Sequence, residues 1–135
     1  MRHEVTIICD DIRQETGKKI SLMGVYDDAL VVKELPARLL KICIFQRWAE
    51  SDLKASETVR LNIVGNAIVA PINLECGMEP EHFDAAATKA QILVALAPFD
   101  IVRAGEIEFI TYLHSSNEPA HRHRIEVRRD PDLQL

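Results

Sequence analysis

Residues 7–28 read IICDDIRQETGKKISLMGVYDD, and this stretch decides the fold. Two apolar runs with the period-two texture of β-strands flank Thr16-Gly17. Glycine at this point supplies the positive φ that a two-residue hairpin turn requires. The stretch therefore predicts an N-terminal β-hairpin, and an N-terminal hairpin favours an all-β domain.

The rest of the chain favours strands over helices. Alternating or branched apolar runs bounded by turn signals occur at 39–48, 57–64, 67–74, 89–97, 106–113 and 121–129. Pro71 removes a ladder donor and places its strand at an edge or bulge. About eight short strands predict an antiparallel β-sandwich, immunoglobulin-like or C2-like, with at most one short helix near residues 80–88. A β-barrel is the alternative.

Length and composition limit the class of protein to which this chain can belong. A chain of 135 residues suits one core, so we expect a single domain over 1–129 and a C-terminal tail over 130–135. Hydrophobic residues at 47% and charged residues at 27% are typical of a folded protein rather than a disordered one. A net charge of −5 repels phosphate backbones, so nucleic acid is not the expected partner. With neither a signal peptide nor a long apolar run, we expect no membrane association and a cytoplasmic location.

The three cysteines, Cys9, Cys43 and Cys76, lie in apolar strand-like contexts. An odd number in such contexts is typical of small buried side chains in a reducing compartment, so no disulfide framework is implied. Cys9 precedes two aspartates, whose charges raise the pKa of a thiol and disfavour a nucleophilic role.

Part of the sequence is similar to a known family. The order Ile8-Cys9-Asp10-Asp11-Ile12-Arg13-Gln14-Glu15, then Gly17-Lys18, then Ser21-Leu22-Met23-Gly24-Val25-Tyr26, and then residues 35–42, resembles a family of small, uncharacterised bacterial proteins. That family is catalogued as a domain of unknown function. The resemblance implies a compact, cytoplasmic, β-sandwich-like domain, and it supplies no catalytic residue.

The acidic pairs of the hairpin raise the question of a metal or ligand site. With Thr16-Gly17 as the turn, Asp10 is expected opposite Met23 and Cys9 opposite Gly24. The pair Asp27-Asp28 then lies about 13 Å away along the ladder, too far to share one ion with Asp10-Asp11. Gly24 leaves room for a neighbouring ring or a ligand. The candidate ligand-binding residues are Asp10, Asp11, Arg13 and Tyr26.

A simpler interpretation of these aspartates is structural. Asp11 and Arg13 share a strand face and are expected to form an ion pair. The aspartates would also end strands, hold turns and keep strand edges from pairing with other molecules.

Histidines supply the best metal geometry in the sequence. If residues 113 and 122 flank a hairpin, His114 lies across from His121, and His123 follows on the same face. Three imidazoles at such spacings are compatible with zinc. A solvated hairpin end is the competing interpretation.

Two further features concern the surface and the core. Arg122, Arg124, Arg128 and Arg129 form a basic stripe, and acidic residues at 106, 108 and 126 are available to neutralise it. We expect ion pairing within the molecule or between subunits, because stacking aromatic side chains are missing around the stripe. The single tryptophan, Trp48, is expected in the core.

The sequence leaves the function undetermined. We expect a non-enzymatic protein-binding or assembly module that self-associates, with no catalytic residue and no cofactor, zinc being the alternative to the last point. The alternatives are a small zinc-dependent hydrolase using the three histidines with Asp10 or Asp11 as acid/base group, or a small-ligand-binding protein.

Overall fold

The computed structural model describes residues 2–17, 19–49, 58–77, 79–80, 89–113 and 116–134. Its strands follow one another as β1 (Arg2–Glu15), β2 (Lys19–Tyr26), β3 (Ala29–Val32), β4 (Ala37–Leu39), β5 (Ile42–Ala49), β6 (Thr58–Val64), β7 (Ile72–Gly77), β8 (Glu79–Pro80), β9 (Ala90–Leu96), β10 (Phe99–Ile101), β11 (Gly105–Leu113) and β12 (His121–Arg129).

The strands of the described residues form two five-stranded sheets and one small sheet. The first sheet has the order β2-β1-β5-β9-β8, and the second has the order β3-β12-β11-β6-β7. Within the described part of the chain, strands β4 and β10 pair with each other alone, and Arg38 and Asp100 form a bidentate ion pair across them at 2.7 and 3.1 Å. Neither large sheet closes on itself, so the architecture is an all-β sandwich and not a barrel.

One apolar core holds the two large sheets face to face. Strand β6 shows the underlying pattern, because Val59, Leu61 and Ile63 are buried while the residues between them are not. Such inward side chains from both sheets form a continuous cluster that includes Ile8, Ile44, Leu61, Ile63, Ile107, Phe109, Ile125 and Val127. A smaller cluster around Trp48 continues the core at one end of the sandwich, so the predicted core position of Trp48 is confirmed.

Among the described residues, the number of strands with six or more residues matches the predicted count of about eight. The four others have two to four residues each, too short to show a period in the sequence. Two details were wrong. Strand β3 pairs in parallel with β12, and β7 begins at Ile72, after Pro71, rather than at residue 67.

The described residues contain no helix, and therefore none of the length and apolar character that crossing a membrane requires. The short helix predicted near residues 80–88 falls on 81–88, outside the described residues, apart from Pro80 in β8.

The N-terminal hairpin is present, but its register differs by one residue from the prediction. Glu15 pairs with Lys19, so three residues rather than two connect the paired positions. As a result Cys9 lies opposite Val25, not Gly24. Because directly opposed residues share a face of the ribbon, a slip of one residue changes which side chains of the two strands lie on the same face. The side chain that approaches Gly24 is consequently that of Asp10.

The hairpin extends beyond the sheet to which it belongs. Strand β1 pairs with β5 only from Arg2 to Cys9, whereas it pairs with β2 from Ile8 to Glu15. Beyond Cys9 the described residues supply no third strand, so the described residues of 10–24 form a two-stranded ribbon, which we call the hairpin arm.

Gly24 is the position where the arm depends most on a missing side chain. Its φ is +66°, and a Cβ at this position would overlap the side-chain carboxylate of Asp10. We expect Gly24→Ala to lower the free energy of unfolding by about 1–3 kcal/mol, because the left-handed backbone and the contact with Asp10 both oppose a side chain. Urea denaturation followed by tryptophan fluorescence measures this loss.

Gly77→Ala is the matched control for this variant. Gly77 also lies in a strand, but nothing lies within 4 Å of a Cβ built there. Its substitution should change the free energy of unfolding by less than about 0.5 kcal/mol. Equal losses in the two variants would contradict the special role of Gly24.

Candidate functional site

Three histidines meet between the two sheets at one end of the sandwich. His121 and His123 alternate with exposed arginines along β12 and are themselves partly buried. His3 comes from β1 in the opposite sheet, and its ring stacks on that of His121 with centroids 3.5 Å apart and planes 10° apart. Because the stack joins one residue from each sheet, it lies in the sandwich interior. We call these three residues the histidine cluster.

A β-bulge in β1 aims His3 inward. The pairing of β1 with β5 shifts between His3 and Val5, so His3 pairs with Trp48 while Thr6 pairs with Gln46. An extra residue at such a shift places two side chains three positions apart on one face of the strand. His3 Nε2 accordingly lies 2.7 Å from Thr6 Oγ1, and the His3 ring meets the Trp48 ring edge-on at 5.2 Å.

A second polar contact crosses the sandwich beside the histidines. The buried side-chain amide of Gln46 donates to Thr111 Oγ1 at 2.8 Å, which links β5 to β11. Gln46 in turn accepts a hydrogen bond from Trp48 Nε1 at 3.2 Å. Buried polar groups cost free energy unless they are paired, and each side chain in this series of hydrogen bonds has a partner.

The interior location keeps the histidine cluster neutral. Burial, and next the nearby His121 and His123, lower the pKa of His3 to about 4. Burial also lowers the pKa of His121, with His123 adding to the effect, and burial alone lowers the pKa of His123. Stacked imidazoles that all carried a proton would repel one another in a medium of low dielectric constant.

Two nitrogen atoms of the cluster are buried without a partner. In the part of the chain that the structure describes, neither His121 Nε2 nor His123 Nε2 makes a hydrogen bond. Leaving a buried nitrogen unpaired costs about 1–3 kcal/mol. Apolar side chains of similar size would avoid that cost, so these two rings are not explained by packing alone.

The predicted zinc ligands are only partly brought together. Thr111 pairs with His121 and Phe109 with His123, so the predicted pairing of His114 with His121 is wrong, and His114 lies outside the described residues. No set of three His, Cys, Asp or Glu residues within the described ranges is arranged to hold a metal ion. The zinc site stays a prediction. His3 was missed because the alternation of apolar and polar residues does not reveal the bulge that turns its side chain inward.

The four predicted ligand-binding residues fall into two groups on the hairpin. Tyr26 donates a hydrogen bond from its hydroxyl to Asp10, and burial followed by this bond raises the pKa of Tyr26. Asp11 instead pairs with Lys41 Nζ at 2.5 Å and with Arg13 Nε at 3.3 Å. The predicted ion pair of Asp11 and Arg13 is therefore confirmed.

Lys41 is the residue that the sequence interpretation missed on the hairpin. It precedes β5, and its contact with Asp11 depends on the β1–β5 register, which no local pattern reveals. Hydrogen bonds from Lys41 and then Arg13 hold the pKa of Asp11 below its usual range. The volume that Gly24 leaves is taken by the Asp10 side chain, and the four residues do not converge on one point.

The cysteines are protonated in the folded protein. Burial, and next the neighbouring Cys43, raise the pKa of Cys9 to about 11. Burial also raises the pKa of Cys43, although the charge of Lys41 opposes the rise, and burial raises the pKa of Cys76. A thiol needs to lose its proton to act as a nucleophile, so the environment disfavours that role.

The basic stripe is neutralised on the outer face of the second sheet. Glu108 binds Arg122 at 2.5 Å and Arg124 at 3.1 Å, and Glu126 binds Arg128 at 2.8 Å. Burial raises the pKa of Glu108, but the hydrogen bonds from Arg124 and Arg122 outweigh it and leave that pKa lowered. The predicted ion pairing is confirmed within one molecule for these three arginines.

The histidine cluster predicts a loss of stability in acid. Unfolded histidines bind protons near pH 6.5, whereas folded His3 does so only near pH 4. Between those values the unfolded state binds more protons, so stability is complete above pH 6.5 and falls as the pH is lowered toward 4. Urea midpoints measured at steps between pH 7.5 and pH 4.5 should therefore decrease through this window.

His121→Phe provides the comparison for the pH series. The aromatic ring keeps a stacking partner for His3 and removes one titrating group together with its repulsion of His3. The urea midpoint of this variant should depend less on pH than that of the unmodified protein. An identical pH dependence would assign the acid sensitivity to other groups.

Comparison with known proteins gives a family and no activity. Neither the curated proteins nor the solved structures yield a match to this chain. A family match covers residues 4–128, from the bulge in β1 to the penultimate residue of β12. With nearly the whole sandwich matched, the chain belongs to DUF6941, a family of unknown function.

Proposed function

We propose that this chain is a non-enzymatic, homo-oligomeric assembly module of the bacterial cytoplasm, which self-associates through its hairpin arm. The observation that carries the proposal is the ribbon over residues 10–24, which continues past the last residue paired with β5. A two-stranded hairpin is at best marginally stable in water by itself, and partners that complete its pairing or cover its apolar side chains stabilise it.

The arm carries apolar side chains that do not join the main core. Ile12 and Leu22 pair across its two strands, yet neither belongs to the clusters described for the sandwich interior. Met23 and Val25 on β2 are 43% and 50% exposed. An exposed strand edge with apolar side chains is a template for pairing with another chain.

A second copy of this chain is the partner that the sequence of β2 fits. When two β2 edges pair antiparallel around Met23, Lys19 of each copy comes opposite Asp27 of the other. Opposite charges then meet at both ends of the new ladder, and Met23 packs against its own counterpart at the centre. Such self-complementarity is what a twofold interface requires. The outer face of the second sheet contributes less, since its arginines already bind its own glutamates.

Val25→Lys tests this proposal. A charge on the exposed edge of β2 opposes pairing with another strand, so self-association should weaken by about tenfold or more. Light scattering during size-exclusion chromatography, over a wide range of protein concentrations, measures the mass of the particle. We expect a concentration-dependent oligomer for the unmodified protein and a shift toward the monomer for the variant.

Val69→Lys is the matched control. Val69 is 80% exposed and lies between β6 and β7, away from the arm in the strand order. The same substitution there should leave the oligomer unchanged, and thermal unfolding should show both variants folded. A monomer at every concentration, or equal effects of the two substitutions, would refute assembly through β2.

The unpartnered Nε2 atoms of His121 and His123 favour a second candidate, a zinc-dependent hydrolase or a protein that binds a small ligand between the sheets. The stacking of His3 on His121 and its bond to Thr6 oppose this candidate, because His3 is already engaged. Elemental analysis of dialysed protein decides the zinc case. Near-stoichiometric zinc that is lost in a His121→Ala, His123→Ala variant would support it, and metal-free protein would overturn it.

A further inference from the structure

Cys9 and Cys43 lie directly opposite each other in the antiparallel ladder of β1 and β5. Directly opposed residues in such a ladder have Cβ atoms about 4.5–5.5 Å apart and Cα atoms about 4.5–5.5 Å apart. A disulfide takes Cα separations of about 4.4–6.8 Å. The register alone therefore meets the Cα separation of a disulfide, and a bond between the sulfur atoms requires the two Cβ atoms to approach by about 1 Å.

The two thiols also converge on the same short segment of β1. The Cys9 thiol donates to the carbonyl oxygen of Asp11 at 3.4 Å, and the Cys43 thiol donates to the carbonyl oxygen of Asp10 at 3.7 Å. Successive carbonyls of one strand thus receive both hydrogen bonds. As directly opposed residues the two cysteines lie on the same face of the sheet, and Cys43 influences the titration of Cys9.

Cys76, the third cysteine, lies apart from the other two. It lies on β7 of the second sheet, opposite Val59, and packs against the small cluster around Trp48. No cysteine faces it, since the chain has only three and the other two face each other in the first sheet. The pairing of Cys9 with Cys43 therefore leaves one thiol as an internal reference.

We propose that Cys9 and Cys43 form a reversible dithiol–disulfide pair at the root of the hairpin arm, oxidised by a low-molecular-weight disulfide. Once the ladder opens and the burial is relieved, Cys43 reacts first, because the charge of the nearby Lys41 opposes the rise of its pKa. Its sulfur attacks one sulfur of the small disulfide, and the other leaves and takes up a proton. The Cys9 sulfur then attacks the mixed disulfide at the Cys43 sulfur and releases the second small thiol. The protein loses two protons and two electrons, and the small disulfide gains them and becomes two small thiols.

The place of this pair in the fold gives the oxidation a structural effect. Cys9 and Cys43 are the last pair of the β1–β5 ladder, the point where the arm leaves the sheet. Both thiols are almost fully buried, so the reaction requires the local pairing of β2 or β5 to open. Once formed, the bond would fix the root of the arm to β5. This inference does not depend on what the arm binds.

The experiment equilibrates the native protein with mixtures of reduced and oxidised glutathione, starting from reduced and from pre-oxidised samples. Acid quenching, alkylation of free thiols and mass spectrometry then count the thiols. We expect the loss of two hydrogen atoms and one labelled thiol, Cys76, with a peptide that links Cys9 to Cys43. Oxidation should be favoured roughly tenfold or more over that of the same chain in urea, because the fold holds the two thiols together.

Two variants and a second measurement make the result decisive. Cys76→Ser should behave like the unmodified protein, whereas Cys9→Ser should stop at the mixed disulfide of Cys43 with glutathione. In the Cys76→Ser variant, the form bridged in urea and refolded should unfold at a higher urea concentration than the reduced form. An oxidation equilibrium no more favourable than in urea, a bridge to Cys76, or a lower urea midpoint of the bridged form would overturn the proposal.

Discussion

Strand β1 takes part in two ladders, and the rest of the structure depends on where one ends and the other continues. Its first half, up to Cys9, pairs with β5 and contributes Ile8 to the core between the sheets. Its second half pairs only with β2 among the described strands. The N-terminal half of this fourteen-residue strand therefore belongs to the sandwich, and its C-terminal half is one strand of a projecting ribbon. Because the ladders overlap at residues 8 and 9, any shift in one register would be passed to the other.

The interior combines an apolar middle with a polar end. Ile44, Ile63 and Phe109 belong to a core whose free energy comes from removing apolar area from water. At the other end, the amide of Gln46 reaches Thr111 across the sheets, and His3 stacks on His121. Directional contacts of this kind specify how the two sheets align, which a purely apolar interface does less well. They also make the alignment sensitive to protonation, which burial of apolar side chains is not.

The sequence predicted those strands whose pattern lies within a short run of neighbouring residues. The strict alternation of β6 and the run of branched and aromatic residues in β5 predicted both strands and the central place of β5. What failed depends on distant partners. The hairpin turn is one residue longer than Thr16-Gly17 suggested, and this moved Asp10 rather than Cys9 onto Gly24. The bulge that turns His3 inward and the approach of Lys41 to Asp11 also depend on pairing with β5. Neighbouring residues in the sequence do not reveal this pairing.

The parallel pairing of β3 with β12 has a consequence for how the protein is made. Main-chain bonds from Glu126 to Asp28, at 2.9 Å, and from Asp130 to Val32, at 2.8 Å, join residues separated by most of the domain. On the ribosome, residues 29–32 emerge long before their partners are synthesised, so their buried side chains, among them Leu30, stay uncovered during most of translation. The hairpin can form early, whereas the sheet that receives β3 is completed last. The nascent chain therefore has a long interval in which chaperones or premature contacts compete for the unpaired β3 segment.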